Sequence, residues 1–377
     1  MKTVGILCEY NPLHLGHAKQ LHMIRGQNSE ECAIVCLMSG DFVQRGHCAV
    51  FDKLSRARAA LEAGADVVLE LPVNYALRSA EGFADGAVSI LGTFCDEMSF
   101  GAEHPDPEKL MDTAKALLSP AFSEHLRRHL DAGLSFPAAR AKALDDMGGD
   151  GGLVASPNNI LAVEYCKAIL ARQSPMRPAP IRRMGSYHDA AADPENPSAT
   201  ALRCLIETGR DFRPYIPTDA FEYAAVHTMA LGEKAMLAKL RTMTDAEFEA
   251  LPYGSEGLWR KFMHECRRQN TLEDILTAVK SKRYTRTRLD RMAMCAFLSL
   301  TKEDLDSPAP YVRILGFTKR GQQVLHTAKE HIPLYNVGQR LDHPFWQTEQ
   351  RCTDLYGLFA ERPEPAGQEP KRRVIIY

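Results

Sequence analysis

The first hundred residues alternate between short apolar runs and segments with helical spacing. Val4 to Cys8 is apolar and reads as a buried strand. After a polar turn at Asn11-Pro12, Leu15, Ala18 and Leu21 recur on one helical face. Cys32 to Met38 is a second apolar run, ending in Ser39-Gly40. Asp52 to Ala63 carries helix signals, with Asp52 as a cap and Leu54, Ala57 and Leu61 on one face. Ala65 to Leu71 is a third run, stopped by Pro72. Ser79 to Leu91 reads as a helix, and Met98 to Gly101 as the end of a further strand. Strands alternating with helices predict an α/β fold with a parallel sheet and right-handed crossovers. Ligands bind such sheets beyond the carboxyl ends of the strands. His14, Gly40, Pro72 and Gly101 all stand at such ends.

The pattern then changes. Pro105 to about Gly152 is helical and closes in a Gly-rich loop. Ser156-Pro-Asn-Asn159 supplies a cap for a helix from Ile160 to Ala171. The Pro-rich stretch Pro175 to Pro180 leads into Ile181 to Asp189, and Ala190 to Pro197 reads as a loop. Ser198 to about Thr301 is helical throughout. Tyr311 to Phe317 reads as a strand that opens a small mixed module, and the tail Lys371 to Tyr377 as an edge strand or a basic arm. The predicted organisation is an α/β domain over 1–195, a helical region over 196–308 and a small C-terminal module over 309–377.

Composition narrows this picture. The chain has 377 residues, too long for one compact core, and its 45% hydrophobic and 25% charged residues are ordinary for a globular protein. No apolar run approaches the roughly 20 residues of a membrane helix, and the N-terminus lacks a signal-peptide pattern. Ten cysteines are scattered without a Cys-x-x-Cys pair. These features predict a cytoplasmic location. His264-x-Cys266 hints at a metal site but lacks partners. The net charge of −2 excludes a protein that binds nucleic acid through bulk basicity. Locally, Lys282 to Arg291 holds five basic residues and one acid. Lys282, Arg283, Arg286 and Arg288, with Tyr284 available to stack, fit an RNA backbone, or else form a solvated face.

The candidate chemistry begins where the first strand ends. His14-Leu-Gly-His17 falls at a helix start, where free N–H groups and the positive end of the dipole favour phosphate. His14 and His17 lie one turn apart, and Gly16 lets a nucleotide approach the backbone. The arrangement suits attack on a nucleotide's α-phosphate, the alternative being a helix that starts with an ordinary pair of surface histidines. Gly40 and Gly46 bracket a loop carrying Gln44 and Arg45, which either closes over phosphate or is a plain surface loop. Lys53, Arg56 and Arg58 face phosphates or solvent. Asp66, Glu70, Glu81, Asp96, Glu97 and Glu103 are the nearby acids, and the sequence does not choose among them for the Mg²⁺ such a nucleotide needs. Of Asn158 and Asn159, one is expected to cap the helix and the other to touch a ligand. Arg182 and Arg183 grip a phosphate or form surface ion pairs.

These residues together resemble the bacterial tRNA(Met) cytidine acetate ligase family. The resemblance runs in order through Gly5-Ile-Leu-Cys-Glu-Tyr-Asn-Pro-Leu-His-Leu-Gly-His17, Met38-Ser-Gly-Asp-Phe-Val-Gln-Arg-Gly46, Asp66-Val-Val-Leu-Glu-Leu-Pro72, Ser156-Pro-Asn-Asn-Ile-Leu161, Lys282-Arg-Tyr-Thr-Arg-Thr-Arg288 and Thr353-Asp-Leu-Tyr356. It implies a Rossmann-like nucleotidyltransferase sheet. It also implies a reaction in which ATP and acetate give acetyl-adenylate and pyrophosphate, and the acetyl group passes to N4 of the wobble cytidine of elongator tRNA(Met). By the same resemblance, ATP is held by Leu7, Cys8, Glu9, Tyr10, Asn11, Pro12, Leu13, His14, Leu15, Gly16, His17, Ala18, Lys19 and Gln20. Further ATP contacts fall on Gly101, Asn159 and Arg182, with Arg183 an adjacent choice. Leu13 and Leu15 depart from the family pattern, which usually has Phe and Asn there; both flank the histidines. The rival readings are a small-molecule adenylyl- or cytidylyltransferase and a non-catalytic tRNA-binding protein.

Overall fold

A computed structural model describes residues 1–28, 32–182, 193 and 197–377. Arg183 and nearly all of the expected 190–197 loop lie outside the described residues. The apolar runs become β1 (Thr3–Cys8), β2 (Ala33–Ser39), the short hairpin pair β3 (Phe42–Val43) and β4 (His47–Cys48), β5 (Val67–Leu71) and β6 (Glu97–Ala102). Later come β7 (Arg177–Arg182), β8 (Val312–Phe317), β9 (Leu334–Asn336) and β10 (Ile375–Ile376). The sheet order is β10-β8-β5-β2-β1-β6-β7, with β9 also on β8. From β5 to β7 every neighbouring pair is parallel. Every residue of β2 and β5 is buried, as expected of parallel strands covered on both faces. One apolar cluster lies on each face, and a third fills the helical region.

Two features depart from the sequence pattern. The Pro-rich stretch is strand β7, paired with β6 from Glu97–Arg177 to Ala102–Arg182. Proline breaks the strand signal but is tolerated at a sheet edge. The segment beyond residue 309 extends the sheet, because β8 pairs antiparallel with β5 and carries β10. Without it β5, which is buried along its length, would be an open apolar edge. The tail is therefore an edge strand.

Buried charges fasten that segment to the carboxyl end of the sheet. Lys53 Nζ lies 2.9 Å from Glu70, 3.0 Å from Glu369 and 3.8 Å from Asp41. Arg313 donates to Glu349 at 2.7 Å and pairs with Glu369. Lys53 thus faces neither phosphate nor solvent. No helix among the described residues is long and apolar enough to cross a membrane.

Candidate active site

β1 has β2 on one side and β6 on the other, and the chain enters these neighbours in opposite directions across the sheet. A cavity of about 690 Å³ opens at the carboxyl ends of β1 and β6. This is the switch point, where an open α/β sheet leaves a crevice. Its volume is within the range of small-molecule sites.

Helix α1 (Leu15–Asn28) starts immediately after His14. The His14 carbonyl accepts the N–H groups of His17 at 2.9 Å and Ala18 at 3.1 Å. Each imidazole is oriented by a backbone donor. Gly16 N–H donates to His14 Nδ1 at 3.1 Å, and His14 N–H donates to His17 Nδ1 at 3.3 Å. With Nδ1 accepting, the proton of each neutral ring sits on Nε2. The rings stack with centroids 3.7 Å apart and an interplanar angle of 24°. Tyr10 leans on His17 at 4.9 Å. A Cβ on Gly16 would come within 3.0 Å of the His14 ring, so glycine here also makes room for the imidazole itself.

Of the segment expected to hold ATP, Leu7, Cys8, Glu9, Tyr10, Asn11, His14, Gly16, His17, Lys19 and Gln20 line the cavity. Leu13 and Ala18 are buried in the core behind it, and Pro12 and Leu15 are off the wall. Gln44 and Arg45 line the cavity beside the first loop. The hairpin they sit on is tied to the first loop, because Gln44 N–H donates to Glu9 Oε1 at 2.7 Å. Arg56 is fully buried and joins these loops from below, donating to the carbonyls of Glu9, Ser39, Gly40 and Phe51. It is a brace, neither a phosphate contact nor part of a solvated face. Arg58 is exposed beside Glu62.

Gly101 and Arg182 line the cavity from the adjacent ends of β6 and β7. Asn158 also lines it, whereas Asn159 lies behind the wall with no exposed surface. Asn159 Oδ1 accepts the N–H groups of Glu103 at 3.0 Å and His104 at 3.1 Å. Neither Asn caps the helix Pro157–Ala171. Ser156 holds the cap position, and its hydroxyl donates to Glu103. Burial alone would raise the pKa of Glu103. Hydrogen bonds from Asn158, Ser156 and the backbone outweigh burial and lower it.

The other acids are committed elsewhere. Asp66 pairs with Arg25, Glu70 with Lys53, Glu81 with Lys167 and Glu97 with Lys2, while Asp96 accepts the Thr3 N–H. Glu9 is the acid of the first loop on the cavity wall, and the spacing of the sequence did not single it out. No group of three His, Cys, Asp or Glu is placed to hold a metal among the described residues.

The basic segment forms the start of the helix Arg286–Leu298, and most of its charge is used within the chain. Arg283 pairs with Glu256 at 2.6 Å, Arg286 with Glu273 and Asp290 at 2.7 and 2.8 Å, and Arg288 donates to the Tyr253 carbonyl. Lys282 is exposed, and Tyr284 packs under Arg288 with 5.0 Å from guanidinium to ring centre. Thr287 and Arg291 of the same helix reach the cavity, as do Arg203 and Glu207 of the helix Ala199–Glu207. Their motifs do not mark them in sequence, because only tertiary packing brings these helices to the first loop.

A family model described as HIGH Nucleotidyl Transferase matches residues 1–371. The chain is 34% identical to the tRNA(Met) cytidine acetate ligase of Geobacillus sp. (strain WCH70), over 97% of this chain and 96% of that one. It is 32% identical to the protein of the same name from Clostridium acetobutylicum, over the full length of both. The chain belongs to the tRNA(Met) cytidine acetate ligase family. The ligand-free crystal structure of Thermotoga maritima TmcAL superposes with a TM-score of 0.91, at 30% identity over 100% of this chain and 99% of that one. The form of that protein bound with alpha-thio ATP gives a TM-score of 0.87 at 31% identity, with the same coverage.

Proposed function

We propose that this chain activates acetate with ATP and transfers the acetyl group to N4 of the wobble cytidine of elongator tRNA(Met). The observation that carries the reading is the stacked His14–His17 pair at a helix N-terminus in a switch-point cavity. An acetate oxygen attacks the α-phosphorus, the bond to the bridging oxygen breaks, and pyrophosphate leaves. The two Nε2 donors and the α1 N-terminus stabilise charge that grows on the α-phosphate during that attack. Arg45 and Arg182 draw off charge from the departing pyrophosphate. Cytidine N4 then attacks the acetyl carbonyl, the mixed-anhydride bond breaks to release AMP, and N4 loses a proton. Mg²⁺ fits as a companion of the triphosphate, since the wall offers Glu9 and Glu207 among several cations and, among the described residues, no cluster of three metal-ligating side chains. When bound it neutralises phosphate charge. Lys282 is the exposed cation best placed for the RNA backbone.

The test supplies ATP, labelled acetate and tRNA and follows pyrophosphate, AMP and label on RNA. Label should reach tRNA(Met), and His17→Ala should lower acetate-dependent ATP–pyrophosphate exchange by about 100-fold or more. ATP consumption with a small-molecule acceptor and none with tRNA would sink the reading in favour of a small-molecule nucleotidyltransferase.

A further inference from the structure

Four cationic side chains are buried among the described residues: Lys53, Arg56, Arg291 and Arg313. Three have full sets of partners. Lys53 and Arg313 sit among carboxylates, and Arg56 donates to four carbonyls. Arg291 differs. It is 8% exposed, its guanidinium lies 5.1 Å above the Tyr253 ring, and its Nε has no hydrogen-bond partner. No carboxylate pairs with it among the described residues, since the adjacent Asp290 is taken by Arg286 at 2.8 Å. Tyr253 is its one polar neighbour among the described residues, and a buried guanidinium Nε left without a hydrogen-bond acceptor is unfavourable. Arg291 lines the same cavity as His14 and His17, so the counterpart can come from a bound substrate.

We infer that Arg291 is the specificity-determining contact for the acceptor cytidine, an inference that rests on the acetyl-transfer reading above. The position favours the acceptor over ATP. The phosphate end of the cavity is served by α1, Arg45 and Arg182. Arg291 comes from the helical region and backs the turn of the β3–β4 hairpin, where a Cβ on Gly46 would lie 2.5 Å from the Arg291 backbone nitrogen. The wall around it is partly apolar, with Cys48 and Met229, which suits the face of a base. Thr287, one turn earlier on the same helix, also lines the cavity, and the helix begins beside the exposed Lys282. An RNA strand held at the surface is thereby led inward along one element.

The chemistry selects cytosine. Its O2 and N3 are neighbouring acceptors, and a guanidinium presents paired donors that never deprotonate. Binding that edge holds the base beside its amine, leaving N4 to meet the acyl group. Uracil carries an N3–H, which opposes a donor, so Arg291 discriminates against it. Bases that undergo chemistry are commonly drawn out of the stack and read this way on the Watson–Crick edge.

The experiment compares wild type with Arg291→Gln and Arg291→Lys. It measures acetate-dependent ATP–pyrophosphate exchange, single-turnover acetyl transfer, and binding of anticodon stem-loops carrying cytidine or uridine at the wobble position. In Arg291→Gln, exchange should stay within about twofold of wild type. Transfer should fall about 10–100-fold, and the cytidine preference in binding should collapse, as for loss of one bidentate base contact. Exchange that falls in step with transfer, in a variant that melts like wild type, overturns the inference and gives Arg291 to ATP. If Arg291→Gln does not fold, Arg291→Lys decides through the same preference: a reduced preference supports the inference and an unchanged one overturns it. Wild type without exchange or preference removes the functional reading itself, whereas wild type with both, matched by Arg291→Gln, removes only this inference.

Discussion

Glu103 and Asn159 hold each other reciprocally: Glu103 N–H donates to Asn159 Oδ1 at 3.0 Å, and Asn159 N–H donates to Glu103 Oε2 at 2.8 Å. The pair fastens the end of β6 to the first turn of the helix Pro157–Ala171, and so fixes two walls of the cavity at once. Asn158 and Asn159, adjacent in sequence, therefore divide the work. Asn159→Ala would remove the acceptor of the Glu103 and His104 N–H groups, which lie at the partly exposed end of β6, at about 0.5–1.5 kcal/mol for each. Urea unfolding should show a loss of about 1–3 kcal/mol. Asn158→Ala leaves the reciprocal pair intact. Its stability should stay within about 1 kcal/mol of wild type, with the defect read as weaker ATP binding.

That division shows what the chain reveals on reading and what it hides. The parallel sheet was legible because strands buried on both faces are continuous apolar runs, as in Cys32 to Met38 and Ala65 to Leu71. His14 and His17 were legible because a turn and a helix face surround them. The side-chain roles of Lys53 and Arg56 were not. Spacing places both on a helix, but Lys53 meets Glu70 only through the packing of that helix on β5, and Glu369 only through the return of residues 311–372 to the sheet. β7 was hidden by its prolines, and the cavity positions of Arg203 and Arg291 by the long sequence separation from the first loop. Local pattern reports local structure; partners hundreds of residues away leave no mark on it.

The basic segment separates into a binding cation and structural ones. Lys282→Glu removes an exposed charge. It should weaken tRNA binding and lower the slope of log affinity against log salt by about 1, while stability changes by less than about 0.5 kcal/mol. Arg286→Glu places a third carboxylate beside Glu273 and Asp290, which Arg286 now bridges at 2.7 and 2.8 Å. It should destabilise the fold by about 1 kcal/mol or more. Thermal melting beside a salt titration of tRNA affinity reads both effects. Loss of RNA binding by Arg286→Glu at unchanged melting temperature would make Arg286 an RNA contact instead.

Two acids in the buried cluster give the chain opposite pH limbs. Burial raises the Glu349 carboxyl to about 7, against the pull of Arg313. For Glu369 burial acts in the same upward sense, but Lys53 and Arg313 outweigh it and hold the carboxyl at about 2. Below about pH 4.5 Glu349 is protonated whether the chain is folded or not, and it contributes nothing to the pH dependence. Between about 4.5 and 7 the unfolded carboxyl is ionised while the folded one keeps its proton. The folded state then binds more protons, so stability falls as pH rises through that window. Glu369 works the other way: its contribution is present above about 4.5 and is lost as pH falls toward 2. Each tenfold change in proton affinity is worth about 1.4 kcal/mol, so the Glu349 limb amounts to a few kcal/mol. Glu349→Gln keeps a carbonyl acceptor for Tyr311 and Arg313, which donate at 2.6 and 2.7 Å. It cannot ionise. Melting temperature followed from pH 4 to 8 should fall more steeply in wild type than in Glu349→Gln, and the acid limb below 4.5 should be shared by both. A parallel decline in the two proteins between pH 4.5 and 7 would assign that limb to another group.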